Sequence, residues 1–338
     1  MTTSVPHAGS GAPAAPLSMD EAADHAAHFT RLADEIASAV LGKSDVVRMA
    51  LVALLSEGHI LLEDVPGVGK TTLARAIAAV TDGEWRRIQF TPDLLPSDVT
   101  GVPVFNQATR EFQFHPGPVF SNVVIADEIN RASPKTQAAL LEVMEERQVT
   151  VDGRRYPVPR PFLVVATQNP VEMDGTYRLP EAQLDRFLMR LSLGYPGADA
   201  ELAIMRGDRL TAPEDLKVVA DSERLAAIAA AAKRVFIDDA VYRYVLDLAH
   251  ATRGHDEIHV GVSPRATVAL VRALRMLVLA SGRSYATPDD VKELAVPAWA
   301  HRLVLAPGSA ISGRGAADVL RDVLDRVPVP APVRHGDE

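Results

Sequence analysis

The sequence predicts an α/β fold, with a parallel sheet flanked by helices, followed by a smaller all-helical domain. Two observations lead to this prediction. Short apolar runs alternate with helical patterns between residues 40 and 195, and apolar runs without polar alternation suit strands that are buried on both faces. After Tyr195-Pro196-Gly197 the pattern becomes almost wholly helical. Strand–helix alternation is typical of parallel sheets covered by helices.

Composition excludes several classes of protein. The chain has 338 residues, a formal net charge of −9 and no cysteine. It therefore has no disulfide scaffold, thiolate metal site or cysteine nucleophile. No apolar run reaches the ~18 residues of a membrane span, and no Arg- or Lys-headed apolar segment opens the chain, so we expect a cytoplasmic protein. An acidic chain is a poor general binder of nucleic acid, although a local basic patch would escape this average.

The chain divides into five predicted parts. Residues 1–18 contain no Asp, Glu, Lys or Arg and are rich in Ser, Ala, Gly and Pro, which is typical of a disordered N-terminal tail. The α/β core is predicted over 19–198, a helical linker over 199–231 and a helical lid over 232–326. Residues 327–338 carry three prolines within five positions and are predicted to form a flexible C-terminal tail.

The predicted elements follow from these patterns. Strands are predicted over 60–62, 87–90, 123–126, 162–167 and 188–193. Helices are predicted over 20–40, 44–57, 69–80, 199–210, 221–234, 238–252, 264–281, 288–304 and 315–326.

Local signals mark several helix starts. Gly42-Lys43 breaks the first helical stretch, and Ser44 can cap the next helix. Thr287-Pro288-Asp289-Asp290 supplies a cap, a first-turn proline and an acid at the third helical position. Ser263-Pro264 opens another helix in the same way.

The strongest chemical signal is a loop between a predicted strand and a predicted helix, Asp64-Val65-Pro66-Gly67-Val68-Gly69-Lys70-Thr71-Thr72. Glycines let backbone N–H groups surround a phosphate, and the helix N-terminus adds partial positive charge. Lys70 would reach the β- and γ-phosphates, and the Thr71 hydroxyl would ligate Mg²⁺. Asp64 replaces the first glycine of the usual G-x₄-G-K-[ST] pattern, which we accept because Asp tolerates unusual turn dihedrals. The alternative is a glycine-rich turn with an exposed lysine.

Two further strands end in polar residues. Asp127 and Glu128 follow the apolar run 123–126, so Asp127 can hold Mg²⁺ and Glu128 can act as a base on the attacking water. Thr167 and Asn169 end the next strand, and Asn169 could orient that water or bond the γ-phosphate. Ligands bind at the carboxyl ends of strands in open α/β sheets. The alternatives are solvated acids that cap a helix, and a turn asparagine before a proline.

Two arginines stand out from their local context. A helix that starts near Pro180 would carry Arg186 toward its C-terminal end, where a cation is favoured in any case. The functional interpretation is an arginine finger donated to a neighbouring subunit's nucleotide. Arg265 lies in the first turn after Ser263-Pro264, where the helix dipole disfavours a cation by ~0.3–1 kcal/mol. An anion in front of that helix would reverse this penalty, and a surface salt bridge could also do so.

Two segments predict β-hairpins outside the compact core. Residues 148–158 alternate around the turn Asp152-Gly153, and residues 102–118 place aromatic side chains on both sides of a polar turn. They look like insertions that contact a substrate or partner, or else plain loop decoration.

In combination, these residues resemble the MoxR family of AAA+ ATPases over about residues 30–325. The segments that carry the resemblance are 62–71, 89–101 (Gln-Phe-Thr-Pro-Asp-Leu-Leu-Pro-Ser-Asp-Val-Thr-Gly), 126–137 (Ala-Asp-Glu-Ile-Asn-Arg-Ala-Ser-Pro-Lys-Thr-Gln), 166–170 (Ala-Thr-Gln-Asn-Pro) and 179–187 (Leu-Pro-Glu-Ala-Gln-Leu-Asp-Arg-Phe). Asp64 resembles the family's usage, although it departs from the general pattern.

The resemblance implies an AAA+ P-loop core with a helical lid. It assigns Walker A to 67–71 and Walker B to Asp127-Glu128. It assigns sensor 1 to Asn169, the arginine finger to Arg186 and sensor 2 to Arg265 on the lid. The nucleotide site implied is Gly42, Pro66, Gly67, Val68, Gly69, Lys70, Thr71, Thr72 and Arg265, with Mg²⁺ on Thr71 and Asp127.

The family also implies a function. Its members form rings, usually hexamers, with ATP sites between subunits, and the two hairpins resemble insertions that face the central channel. They remodel or activate client proteins, often in metal or cofactor insertion with a partner bearing a von Willebrand factor A domain. The alternatives are a nucleic-acid motor, which the net charge disfavours, a nucleotide-binding switch without hydrolysis, and a metal-chelatase subunit.

Overall fold

A computed structural model of the chain describes residues 15–65, 67–168, 177, 179–206, 211–311 and 313–330. The predictions for Pro66, Asn169 and most of both tails lie outside the described residues. Leu17 and Ser18, which the sequence assigns to the N-terminal tail, belong to the packed chain. Leu17 is buried, and Ser18 caps the first helix through a capping box with Glu21.

The chain order of the elements is as follows. The strands are β1 (Ile60–Glu63), β2 (Trp85–Gln89), β3 (Gly101–Asn106), β4 (Glu111–Pro116), β5 (Val123–Asp127), β6 (Gln148–Val151), β7 (Arg154–Pro157), β8 (Leu163–Gln168), β9 (Met189–Leu191), β10 (Ile258–Val260) and β11 (Val304–Leu305). The helices are α1 (Met19–Ala39), α2 (Ser44–Leu55), α3 (Lys70–Val80), α4 (Pro96–Thr100), α5 (Pro134–Glu146), α6 (Glu181–Leu184), α7 (Ala198–Arg206), α8 (Ser222–Ala232), α9 (Asp239–Arg253), α10 (Pro264–Ala280), α11 (Pro288–Trp299), α12 (Pro307–Ile311) and α13 (Ala316–Arg326).

Five strands form one parallel sheet in the order β2-β5-β8-β1-β9. Successive residues of a strand face opposite sides of a sheet. Ile60 and Leu62 therefore pack in the hydrophobic cluster that includes α3, whereas Leu61 packs in the cluster that includes α5. The sheet is covered by helices on both faces, which confirms the predicted α/β core.

Both predicted hairpins are present. β3 pairs with β4 and β6 with β7, each antiparallel. Asp152 and Gly153 both have positive φ, 49° and 74°, as a type I′ turn requires. The hairpins contact each other through stacked rings of Phe114 and Tyr156, whose centroids lie 4.3 Å apart.

The helical lid follows the core, as predicted, and shares its hydrophobic cluster. One cluster of buried side chains extends from Ile36 in α1 through the sheet to Leu270 in α10 and Leu324 in α13. The N-terminal helices contact the lid directly, and Arg48 of α2 donates to Glu293 of α11 at 2.6 Å. No helix in the described part of the chain has the length and apolar character to span a membrane.

Four local predictions differ from the structure. Lys43 rather than Ser44 is the N-cap of α2, and Ser44 is its first helical residue, because Gly42 with φ 69° already turns the chain. Helix α6 ends at Leu184, so Arg186 lies beyond it. The helix predicted over 288–304 ends at Trp299 and continues as the 3₁₀ turn Ala300–Arg302.

The fourth difference is that the lid region is not wholly helical. It also contains the antiparallel pair β10–β11. Strands of two or three residues are too short to show a period of two in the sequence.

Candidate functional site

The phosphate loop connects β1 to α3. Gly67 and Gly69 have φ of 84° and 96°, and a Cβ at either position would meet no other atom within 4 Å. Backbone conformation, rather than crowding, therefore requires glycine at both positions. Gly69 is the N-cap of α3, which begins at Lys70. The Lys70 Nζ donates to the backbone oxygen of Asp64 at 2.9 Å, so the lysine lies back across its own loop.

Asp64 anchors this loop to the neighbouring strand. Its buried carboxylate accepts hydrogen bonds from the backbone N–H of Leu193 at 2.6 Å and of Gly194 at 3.0 Å, and from the Ser192 hydroxyl at 2.7 Å. Its φ is not positive. The sequence explanation, that Asp replaces glycine because it tolerates unusual dihedrals, is therefore wrong. The carboxylate is present because it binds backbone donors just beyond β9.

Thr167 joins the two acidic residues. Asp127 ends β5 and Glu128 follows it with φ 55°. The Thr167 hydroxyl, on the neighbouring strand β8, donates to Asp127 Oδ1 at 2.6 Å and accepts from the Glu128 N–H at 2.9 Å. Only 1% of Thr167 is exposed. One buried hydroxyl thus fixes the Asp127 carboxylate and the backbone of Glu128 together.

Two residues of β2, which the sequence analysis missed, contact the same acids. Arg87 donates to Asp127 Oδ2 from Nη2 at 2.5 Å and from Nε at 3.1 Å. The Gln89 amide donates to Glu128 Oε2 at 2.9 Å, and Arg131 Nη1 donates to that oxygen at the same distance. Each of the two acidic side chains therefore accepts a hydrogen bond from a side chain of the adjacent strand β2. The available signal was the alternation of polar residues in β2, which places Arg87 and Gln89 on one face.

These groups line one cavity of about 440 Å³. Its lining residues are Gly67, Gly69, Lys70, Thr71, Thr72, Arg87, Gln89, Asp127 and Glu128. The structure thus brings the predicted phosphate loop and the predicted acidic pair together. Val68 packs against the hydrophobic cluster instead, and Gly42 lies against Ala200, outside this lining.

The cavity offers oxygen donors suited to a hard cation. Thr71, which carries a hydroxyl, and Asp127, which carries a carboxylate, both line it. No cluster of three or more His, Asp or Glu with metal-ligand geometry occurs among the described residues. This donor set fits Mg²⁺, which proteins commonly hold with one or two carboxylates, together with water and substrate phosphates.

Arg186 and Arg265 lie in a different cavity. This second cavity, of about 540 Å³, is lined by five arginines and three acidic side chains, and by no residue of the phosphate loop. Arg186 Nε lies 3.1 Å from Glu145 Oε2, and Arg265 Nη1 lies 2.9 Å from Glu145 Oε1. The structure therefore brings the two predicted arginines to each other and does not bring either to Lys70 of the same chain.

The segment before Arg186 is fixed to the lid. Asp185 accepts a hydrogen bond from the Ser263 hydroxyl at 3.2 Å and lies 3.3 Å from Arg302 Nη1. Arg302 also donates to the backbone oxygen of Phe187 at 2.7 Å. Burial lowers the pKa of Arg302 to about 10, and the charge of Asp185 partly opposes that shift. A buried, paired arginine of the lid thus contacts the Asp185 side chain before Arg186 and the Phe187 backbone after it.

Two family models match parts of the chain. Residues 59–189 match the ATPase family associated with various cellular activities (AAA), and residues 250–323 match the AAA lid domain. The chain is 47% identical to the uncharacterized protein YeaC of Bacillus subtilis (strain 168), over 88% of this chain and 93% of YeaC. It is 41% identical to Chaperone MoxR1 of Mycobacterium tuberculosis, over 88% of this chain and 81% of that protein.

Two further comparisons extend the likeness. Protein MoxR of Methylorubrum extorquens is 34% identical, over 91% of this chain and 96% of its own length. A crystal structure from Cytophaga hutchinsonii, of a protein classed as an ATPase, superposes with a TM-score of 0.85 at 35% identity. The match covers 92% of this chain and 98% of that one.

Proposed function

The chain belongs to the MoxR family of AAA+ ATPases, and on that premise we propose that it hydrolyses ATP with Mg²⁺ in a ring of subunits to remodel or activate client proteins. Its family membership makes it an ATPase with a helical lid. The ring, the metal and the client are our proposal. The observation that carries it is the convergence of Lys70, Thr71, Asp127 and Glu128 on one cavity.

Each residue of that cavity has a proposed role. Lys70 and the loop N–H groups bind the phosphates, and Thr71 and Asp127 hold Mg²⁺, which neutralises charge on the phosphate oxygens. Glu128 accepts a proton from the attacking water. Thr167 supports these roles because its hydroxyl fixes both acidic residues. Asn169, outside the described residues, follows β8 by one position and is proposed to orient the water.

Arg186 and Arg265 are proposed to act on the ATP of a neighbouring subunit. Within one chain they line a cavity that contains none of the phosphate-loop residues. Arginines supplied by a second molecule stabilise the charge of a transferring phosphoryl group. Arg265, at the start of a lid helix, pairs with Glu145 in its own chain, and the neighbour's phosphates would be a second anion for it.

Client binding is proposed for the two hairpins. Phe105 and Phe112 of β3–β4 form an edge-to-face pair with ring centroids 5.3 Å apart, and they are 48% and 68% exposed. Exposed aromatic pairs are typical of protein interaction sites. The name Chaperone MoxR1 carried by one relative supports action on other proteins. We further propose a cytoplasmic location and a partner with a von Willebrand factor A domain.

The substitution Glu128→Gln tests this function. It removes the proposed base but keeps a side chain of similar size, so we expect turnover to fall by ~10²–10⁴-fold while ATP binding is retained. Steady-state phosphate release and equilibrium binding of a fluorescent ATP analogue measure the two effects. Near-normal turnover would exclude Glu128 as the base.

The same variant serves as a trap for clients. An ATP-bound, non-hydrolysing ring should retain client and partner proteins that the wild type releases. A pull-down with Glu128→Gln in ATP, compared with the same pull-down in ADP, measures this retention. Equal recovery in both nucleotides would contradict ATP-dependent client binding.

A further inference from the structure

Glu145 is the counter-ion that two arginines share in the second cavity. It lies in the last turn of α5, Arg186 lies just after α6 and Arg265 lies in the first turn of α10. Its two carboxylate oxygens contact different arginines. Oε2 lies 3.1 Å from Arg186, and Oε1 lies 2.9 Å from Arg265. Three elements that are distant in sequence therefore meet at one carboxylate.

The local positions of these charges are unfavourable without this contact. A carboxylate in the last turn of a helix and a guanidinium in the first turn each interact unfavourably with the helix dipole. The last turn of α5 contains no basic residue that would offset Glu145. The pairing of Glu145 with Arg265 offsets both unfavourable dipole interactions. The contact therefore explains why each charge can lie at a helix end that disfavours it.

The contact leaves Arg186 able to bind a phosphate. The shortest contact between Glu145 and Arg186 is at Nε and not at either of the two terminal nitrogens. Those nitrogens form the end of the guanidinium that bonds phosphate oxygens in a bidentate manner. Two guanidiniums that share one carboxylate keep a net positive charge, so the cluster still attracts an anion.

We propose that Glu145 is a positioning residue that holds Arg186 and Arg265 as one unit for the polyphosphate of a neighbouring subunit. The proposal rests on the proposed function of Arg186 across the subunit interface. Glu145 itself contacts neither ATP nor the reacting atoms. The Asp185–Ser263 hydrogen bond also joins these two segments, so Glu145 adds a second contact between the core and the lid.

The first test compares two Glu→Gln substitutions on α5. Glu145→Gln keeps the shape of the side chain but loses its charge, and we expect kcat to fall about tenfold to a hundredfold because the arginines lose their fixed geometry. ATP binding at the variant's own phosphate loop should be unchanged. Glu142→Gln is the matched control, since Glu142 is an exposed residue of the same helix, and it should leave kcat unchanged.

The second test asks whether the defect acts between subunits. Glu145→Gln and Lys70→Ala chains carry different affinity tags, and only assemblies purified on both tags are assayed. The Glu145→Gln subunit has an intact ATP site, and its Lys70→Ala neighbour presents intact arginines, so we expect turnover above that of either variant alone. Arg186→Ala with Lys70→Ala is the reference pair and should recover in the same way. A merely structural defect in Glu145→Gln would not be rescued by a neighbour.

The outcomes separate the two proposals. If turnover recovers in the mixed assembly of Arg186→Ala with Lys70→Ala but not in that of Glu145→Gln with Lys70→Ala, only the positioning role of Glu145 is overturned. Wild-type or faster turnover of Glu145→Gln alone also overturns that role. No recovery in the Arg186 pair overturns the function across the interface, and the role of Glu145 with it. If Glu145→Gln does not fold, Glu145→Asp replaces it, because a shorter carboxylate keeps the charge and should give an intermediate kcat.

Discussion

At the scale of single residues, Thr167 determines how the two acidic residues are held. Its hydroxyl is the only polar atom of its side chain, and it both donates to Asp127 and binds the Glu128 N–H. Replacing it by an apolar group of similar size would remove the hydrogen bond to Asp127 Oδ1 and leave a partly buried N–H without its acceptor.

We expect Thr167→Val to lower kcat about tenfold to a hundredfold, because small displacements of catalytic groups have effects of this size. ATP binding should persist, since Lys70 and the loop are untouched. Steady-state kinetics and equilibrium ATP binding measure the two quantities.

The matched control is Thr252→Val in the lid. The Thr252 hydroxyl also makes two hydrogen bonds in a buried setting, to the Ala249 oxygen at 2.7 Å and from the Val262 N–H at 3.1 Å. It should lower stability without a comparable change in kcat. Equal kinetic effects of the two substitutions would mean that Thr167 acts only through stability.

Part of this geometry could be predicted from the sequence, because each motif lies at a strand end within one short segment of the chain. The meeting of Lys70, Asp127 and Glu128 at one cavity is therefore predicted from the order of residues alone. The contacts of Arg87 and Gln89 join residues about 40 positions apart. They depend on which strands are neighbours in the sheet, and strand order is not encoded in local periodicity.

At the scale of elements, the Asp64 carboxylate fixes the phosphate loop to the end of β9. The loop could be predicted from the sequence, but the explanation given for Asp64 was wrong. A motif shows that the residue at position 64 differs from glycine, but it does not show what the Asp64 side chain contacts. The motif predicts that glycine is acceptable at position 64, whereas the structure predicts that it is destabilising there. A glycine at position 64 would match the general pattern and yet remove three hydrogen bonds.

We expect Asp64→Gly to lower the free energy of unfolding by about 2–4 kcal/mol, because buried N–H groups lose a charged acceptor. Urea unfolding measures the change. Asp152→Gly is the control, since Asp152 is exposed and has a positive φ, where glycine is favoured. It should be neutral or slightly stabilising. Similar behaviour of both variants would contradict the anchoring role of Asp64.

At the scale of the whole molecule, two buried neutral histidines link stability to pH. Burial lowers the pKa of His59 to about 4 and that of His301 to about 3. His59 accepts from the Val164 N–H, and His301 is hydrogen-bonded to the Phe187 oxygen. His59 lies beside the central sheet and His301 lies in the lid.

Acid should therefore destabilise the protein well before its carboxylates titrate. The unfolded chain takes up protons on these histidines as the pH falls through about 6.5, whereas the folded chain does not until about pH 4 or lower. The stability they contribute is present above pH 6.5 and is lost below it, by about 2 kcal/mol per histidine between pH 7.5 and pH 5.

Urea unfolding at intervals between pH 7.5 and pH 5 measures this loss. The variant His301→Asn should show a smaller slope, because one of the buried titrating groups is gone. A free energy of unfolding that is constant over this range would show that the histidines do not remain neutral in the folded state.

The hydrophobic cluster that extends from α1 to α13 has a consequence for how the chain can move. A hinge between core and lid would have to expose apolar side chains of α1, α2 and α10 to water, at about 25 cal/mol for each Å². Rigid-body rotation of whole subunits exposes none of this surface. In the proposed ring, motion would then occur mainly at the contacts between copies, and each copy would move as a rigid body.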